Sequence, residues 1–167
     1  MSSDHNGHSI PIPHPAVTDT GAAQDVPDIT LIAVLDDADR VLMLRRYRNA
    51  LDRTVCELPG GYLPPGGDPE QCAARDVQKL TGRRPRELTR LLAFQPRLGP
   101  IGRRSIVFLA RTASPLPPVV APAAADVVPD WIPLHELQDR IASGDVVGAD
   151  SVSAVLAVLL ARAAGRI

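Results

Sequence analysis

Seven uncharged residues in a row, Ile29-Thr30-Leu31-Ile32-Ala33-Val34-Leu35, read as a strand. The turn formers Asp36-Asp37-Ala38-Asp39 follow, and Val41–Tyr47 returns as a second strand, so the pair predicts a hairpin. Val55–Leu58 is a short strand that stops at Pro59-Gly60-Gly61, and the loop YLPPGG follows it. The clearest helix start comes next. Asp68 is an N-cap, Pro69 takes the first helical position and Gln71 completes a capping-box pattern. The helix runs from Pro69 to Thr81, stops at Gly82, and carries Ala73, Val77 and Leu80 as its apolar stripe. Glu87–Phe94 and Ser105–Arg111 are two more strands, joined by QPRLGPIGRR. A Pro/Ala-rich connection over Ala113–Ala125 leads to a short strand near Trp131 and a helix over His135–Ala142. A last helix starts near the cap candidate Asp150, with Val152, Val155, Leu156 and Leu159 on one face. No internal repeat is present. Strands on either side of a central helix, with helices at the end, predict an α/β fold: a mixed β-sheet in an α/β/α sandwich. Residues 1–27 are polar and proline-rich and predict a flexible N-terminal tail, with one domain over 28–167. The alternative for the tail is a nickel or zinc cluster on His5, His8 and His14.

Composition narrows the function. Eighteen basic residues against 19 acidic ones give a net charge of -1, and only two Phe, two Tyr and one Trp are present. Neither a phosphate-tracking charge excess nor a base-stacking platform is available, so no nucleic-acid partner is expected. Two cysteines, Cys56 and Cys72, are too few for a disulfide-stapled secreted domain. The first residues lack a basic region followed by an apolar run, and the longest apolar stretch, Ala154–Ala161, is too short for a bilayer. The expectation is a cytoplasmic protein with no membrane partner. Lys79 is the one lysine beside 17 arginines, a bias that points to a bacterial, GC-rich origin.

Chemistry concentrates in residues 57–82, ELPGGYLPPGGDPEQCAARDVQKLTG. This segment resembles the Nudix hydrolases, and most of all their ADP-ribose pyrophosphatase branch. The family box reads Gly, five residues, Glu, seven residues, then Arg-Glu-apolar-x-Glu-Glu-x-Gly. Gly61, Arg75, Val77 and Gly82 fall at the matching positions. Arg46-Tyr47-Arg48, Glu57-Leu58-Pro59, Asp68-Pro69-Glu70 and Trp131-Ile132-Pro133-Leu134 are similar to flanking pieces of that branch, so the resemblance runs from about Ile29 to about Ala163.

The resemblance implies a Nudix fold and a diphosphate substrate, with magnesium held by box carboxylates at i, i+3 and i+4 of one helix. Here those positions hold Asp76, Lys79 and Leu80, and the earlier box glutamate is Gly67. Asp76 is one methylene shorter than glutamate, Lys79 repels cations, and Leu80 extends the apolar stripe into the core. The box is therefore degenerate. The expectation is a non-hydrolytic protein that binds a nucleoside-diphosphate-type ligand or a partner in a regulatory or accessory role, without a metal cofactor. The alternative is a pyrophosphatase acting on ADP-ribose or a relative with Mg2+ or Mn2+, its metal held by Asp76 and Glu70, with Asp68 and Glu57 in support.

Candidate catalytic positions are Asp76 and Lys79, the lysine standing in for metal charge or merely pointing to water. Candidate ligand contacts are Arg46, Arg48, Arg75, Arg103 and Arg104, which suit phosphate bidentately, and Gly60 and Gly61, whose backbone lets a phosphate come close. Glu57 either contacts ligand or pairs with Arg46 or Arg48. Arg75 either contacts ligand or ties the loop to the helix. Arg83, Arg84 and Arg86 read as a solvated surface run, and Cys72 as a packing residue. The resemblance also implies a homodimer.

Overall fold

A computed structural model describes residues 26–97, 102–115 and 127–167. Residues 1–25 of the proposed tail, with its histidines, and most of the Pro/Ala-rich connection lie outside the described residues.

Seven strands form one mixed sheet: β1 (Ile29–Leu35), β2 (Arg40–Arg48), β3 (Arg53–Glu57), β4 (Gly60–Tyr62), β5 (Arg83–Phe94), β6 (Ser105–Pro115) and β7 (Val127–Pro133). The order is β3-β2-β1-β6-β5, with β4 paired to β1 and β7 to β2. The β1 strand runs parallel to β6 and antiparallel to β2 and β4. Its unbroken apolar run is explained by helices on both faces, which bury it from two sides. Leu31, Ala33 and Leu35 enter one core with Val155 and Val158 of α3 (Ala149–Ala163) and Leu137 of α2 (Leu137–Ala142). Ile32 and Val34 enter the other with Ala73 and Val77 of α1 (Pro69–Thr81). This is the expected α/β/α sandwich.

The predicted hairpin forms at Asp36. Its carboxylate accepts from the Ala38 and Arg40 amides at 3.0 and 2.9 Å, while Asp39 takes the left-handed conformation that aspartate tolerates. The box helix keeps its expected bounds. Asp68 Oδ1 accepts from the Gln71 amide at 2.9 Å, Pro69 opens the first turn, and Gly82 closes the helix at a φ of 66°. Its buried stripe is Cys72, Ala73, Val77 and Thr81. The Thr81 hydroxyl donates to the Val77 carbonyl, which satisfies it inside the core, and Leu80 is left only half-buried. The expectation that Leu80 fills the core is thus corrected, because the i+4 step from Val77 falls on Thr81.

Other differences have local causes. The β4 strand forms where no strand is expected, since its two glycines carry no apolar signal. The arginine run lies inside β5, where Arg84 pairs with Ser114 and Arg86 with Arg111 across β6, although Arg84 and Arg86 are exposed as expected. Three register irregularities accommodate that run on an edge strand. The last helix is capped by Gly148, without a side-chain bond, and Asp150 sits in its first turn facing other partners. A 3-10 turn, Leu134–Glu136, precedes α2, which shortens the helix expected from His135. Trp131 of β7 lies between two guanidinium groups, with Arg40 at 5.8 Å and Arg83 at 5.5 Å from its ring centroid. Among the described residues, no helix is long and apolar enough to cross a membrane.

The Asp68 cap generates a first prediction. Asp68→Ala should lower unfolding stability by about 1 kcal/mol with an unchanged denaturant slope, read by urea denaturation.

Candidate functional site

A cavity of about 290 Å³ opens where β1, β2, β4 and the start of α3 meet. Arg46 and Arg48 reach it from the end of β2, Glu57 from the end of β3, and Gly60 and Gly61 from β4. Arg103 comes from the segment before β6, and Asp150 and Ser151 from the first turn of α3. The strand pairing brings these together. Leu44 of β2 is in register with Glu57, and Gly61 is in register with Thr30. Ser151 Oγ accepts from the Leu58 amide at 3.0 Å, which ties the α3 terminus to the strand end that precedes the double glycine.

Three guanidiniums and two carboxylates line the cavity, an excess of one positive charge. Arg48 is bidentate on Glu57, with Nε to Oε1 at 2.6 Å. Arg103 Nη2 donates to Asp150 Oδ2 at 2.8 Å, and the buried Ser105 hydroxyl donates to the other oxygen of Asp150. Glu57 is therefore paired with Arg48. Arg46 is half-buried and has no carboxylate within ion-pair distance among the described residues. The amino end of α3 adds its dipole at Gly148 and Asp150.

The remaining candidates stand elsewhere. Arg104 belongs to a neighbouring groove beside Leu63, Pro64 and Gly67, where it holds Asp28 through three hydrogen bonds of 2.7 to 2.9 Å. Burial pushes the Asp28 carboxyl up, but the Arg104 hydrogen bonds outweigh it and hold the group below its ordinary value. Arg103 and Arg104, adjacent in sequence, thus pair with different acids, Asp150 and Asp28.

Arg75, Asp76, Lys79 and Glu70 all lie on α1, outside the cavity lining. Arg75 Nε stands 3.5 Å from Asp76, its neighbour on the same helix, so this contact stays within α1, with the Arg75 side chain 60% exposed. Lys79 is exposed, and its charge acts on Asp76 more weakly than that of Arg75. Asp76 is 14% exposed and packs against Gly61, where an added Cβ would come within 2.3 Å of Asp76 Oδ2. Burial pushes its pKa above the ordinary 3.8, against the opposing pull of Arg75 and Lys79.

The donor set on α1 does not fit a magnesium cluster. Asp76 is half-sequestered, Lys79 carries positive charge, Leu80 has no donor, and Glu70 lies six residues from Asp76, about 240° around the helix. Among the described residues, no three His, Cys, Asp or Glu side chains are grouped to hold a metal. Both cysteines are free and buried, and burial raises the Cys56 thiol above its ordinary value. Asp28, Asp150 and Ser151 were missed as partners at the site. The available signal was the Arg103-Arg104 pair itself, which needs acid from somewhere, but nothing local says from where.

Residues 26–149 match the family model described as the NUDIX domain. The chain is 34% identical over 134 residues to a CMP-5'-(N-acetyl-N-hydroxy-3-aminopropyl)phosphonate hydrolase of Streptomyces rubellomurinus, covering 80% of this chain and 64% of that protein. It is 32% identical over 90 residues to an ADP-ribose pyrophosphatase of Bacillus subtilis, covering 54% and 49%. It is 30% identical over 132 residues to an ADP-ribose pyrophosphatase of Mycobacterium tuberculosis, covering 76% and 62%. The chain thus spans between about half and two thirds of the length of these relatives. A crystal structure of an ADP compounds hydrolase superposes with a TM-score of 0.71 at 19% identity, over 84% of this chain and 75% of that one. A NUDIX hydrolase from Nitrosomonas europaea gives 0.66 at 16%, over 84% and 90%. Both share the fold.

The raised pKa of Asp76 has a definite sign. The folded state keeps the proton at pH values where the unfolded chain has released it, so stability falls as pH rises from 3.8 through the raised value. Asp76→Asn should therefore melt above the parent at pH 7, and the difference should vanish well below pH 3.8, read by melting across a pH series.

Proposed function

The chain belongs to the Nudix family, on its ADP-ribose pyrophosphatase-like branch, and from that premise we propose that it binds a phosphorylated small molecule of the nucleoside-diphosphate type without hydrolysing it. The observation that carries this reading is the separation of a cationic cavity from a box helix that lacks a metal donor set. On the cavity side, Arg46 has no ion-pair partner among the described residues, and Arg48 and Arg103 are held by Glu57 and Asp150. Planar donors fixed in this way suit phosphate oxygens. On the helix side, Asp76 is the one carboxylate kept at the family's acidic box positions, and it is turned against Gly61. Hydrolysis of a diphosphate near neutral pH also needs an activated water, and the carboxylates described on α1 do not form a donor set for a metal that would activate one. A protein of this kind serves as a sensor or accessory subunit whose output is occupancy.

The second reading is a metal-dependent pyrophosphatase. The catalogued activities of the relatives favour it, since they are named as hydrolases and pyrophosphatases. Incubation of the purified protein with ADP-ribose and Mg2+ or Mn2+ separates the two. Saturable, metal-dependent release of AMP establishes the enzyme, and binding without release establishes the receptor.

Arg46→Gln should weaken ADP-ribose binding about tenfold to a hundredfold, the size of one charge-assisted hydrogen-bonding group. Lys79→Ala, outside the cavity lining, should leave the affinity within about twofold. Titration calorimetry without added metal reads both.

A further inference from the structure

The position that the family resemblance gives to a metal ligand is held here by Asp76, and its surroundings describe a different job. Its side chain is 14% exposed and lies against Gly61, so close that a methyl group on Gly61 would sit 2.3 Å from Oδ2. Gly61 in turn is directly opposite Thr30 in the β1–β4 pairing. Opposed residues of an antiparallel pair present the same face, so Gly61, Thr30 and Asp76 meet on the α1 side of the sheet. The Thr30 hydroxyl there is fully buried and makes no hydrogen bond among the described residues. The next residue back, Gly60, is equally tight on β1: a Cβ would fall 2.2 Å from the Thr30 carbonyl. The β4 strand is three residues long, yet both its glycines line the ligand cavity. It is held on one edge by β1 and on its α1 face by Asp76.

We propose that Asp76 is a prop and not a metal ligand: its carboxyl, packed on the bare Cα of Gly61, sets the position of the strand that walls the cavity. Asp76 is thus a positioning residue for ligand binding on the far side of β4. This rests on the reading of the cavity as the ligand site, but its mechanical part stands on the packing alone. Shape decides the outcome, so the isosteric amide keeps the prop, whereas glutamate, one methylene longer, pushes β4 toward the cavity. A metal ligand would show the reverse order, because an amide is a poor magnesium donor and glutamate is the residue the family box carries.

The test is the order of four variants, measured on the full chain without added metal. Asp76→Asn should melt at or above the parent, and Asp76→Glu below it. Gly61→Ala should melt below the parent, and Asp76→Ala in the Gly61→Ala background should recover part of that loss, which is direct coupling across the contact. With ADP-ribose as the probe in calorimetry, Asp76→Glu should bind about tenfold more weakly and Asp76→Asn within about threefold of the parent. Magnesium titration should show no stoichiometric site in Asp76→Glu. The proposal is overturned if Asp76→Glu melts with the parent and gains such a site, or if the Gly61 and Asp76 changes add without coupling. Release of AMP by the parent with Mg2+, or no binding of ADP-ribose by the parent, would sink the functional reading instead, and the melting order would still judge the prop.

Discussion

The closeness of the β1 backbone and the Asp76 side chain to Gly60-Gly61 is the constraint from which the site follows. A side chain at Gly60 would collide with the Thr30 carbonyl of β1, and one at Gly61 would collide with Asp76 of α1. With neither present, a three-residue strand sits against the central strand and the box helix at once. The Ile32 amide donates to the Pro59 carbonyl at 3.0 Å and the Leu63 amide to the Asp28 carbonyl at 2.7 Å, so hydrogen bonds fasten β4 just beyond each end. The cavity on one side of this strand and the loop leading to Asp68 on the other both take their position from it.

Charge is arranged around that strand in fixed pairs. Asp150 and Asp28, 122 positions apart in sequence, each hold one of two adjacent arginines. The segment entering β6 is thereby clamped from both sides, with Arg103 turned toward the cavity and Arg104 away from it. These pairs are partly exposed and individually modest in energy. Their effect is geometric: they decide which guanidinium a ligand meets and in which orientation. Arg46, in no such pair among the described residues, gives the cavity its net sign.

The layered fold was legible because its signals are local. Apolar continuity marks β1, the Asp68-Pro69 start and the Gly82 stop bound α1, and the box spacing names the family. Other features depend on what the chain meets after folding. The β4 strand has two glycines and no periodicity, so nothing in its own residues announces pairing. Leu80 looked like core by spacing, but Thr81 can bury its hydroxyl by bonding back to Val77, and it takes the position. Arg103 and Arg104 read as one phosphate-binding pair, and only their pairing with different acids, Asp150 and Asp28, divides them. Asp150 looked like a cap because it stands one residue inside a helix start, and tertiary pairing with Arg103 and Ser105 won instead. The replacement of box carboxylates by Lys79, Leu80 and Gly67 was plain in the sequence, whereas the contact of the remaining Asp76 with Gly61 was not.

Trp131, set between Arg40 of β2 and Arg83 at the start of β5, is the one indole in the chain. The two guanidiniums over its ring come from separate elements, one from the hairpin turn and one from the residue just past the α1 stop. Indole emission responds to the groups stacked on its faces, so separation of the box helix from the sheet changes the fluorescence without any label. The molecule carries its own optical gauge of whether those two layers are docked, and Trp131 is not among the residues that line the cavity.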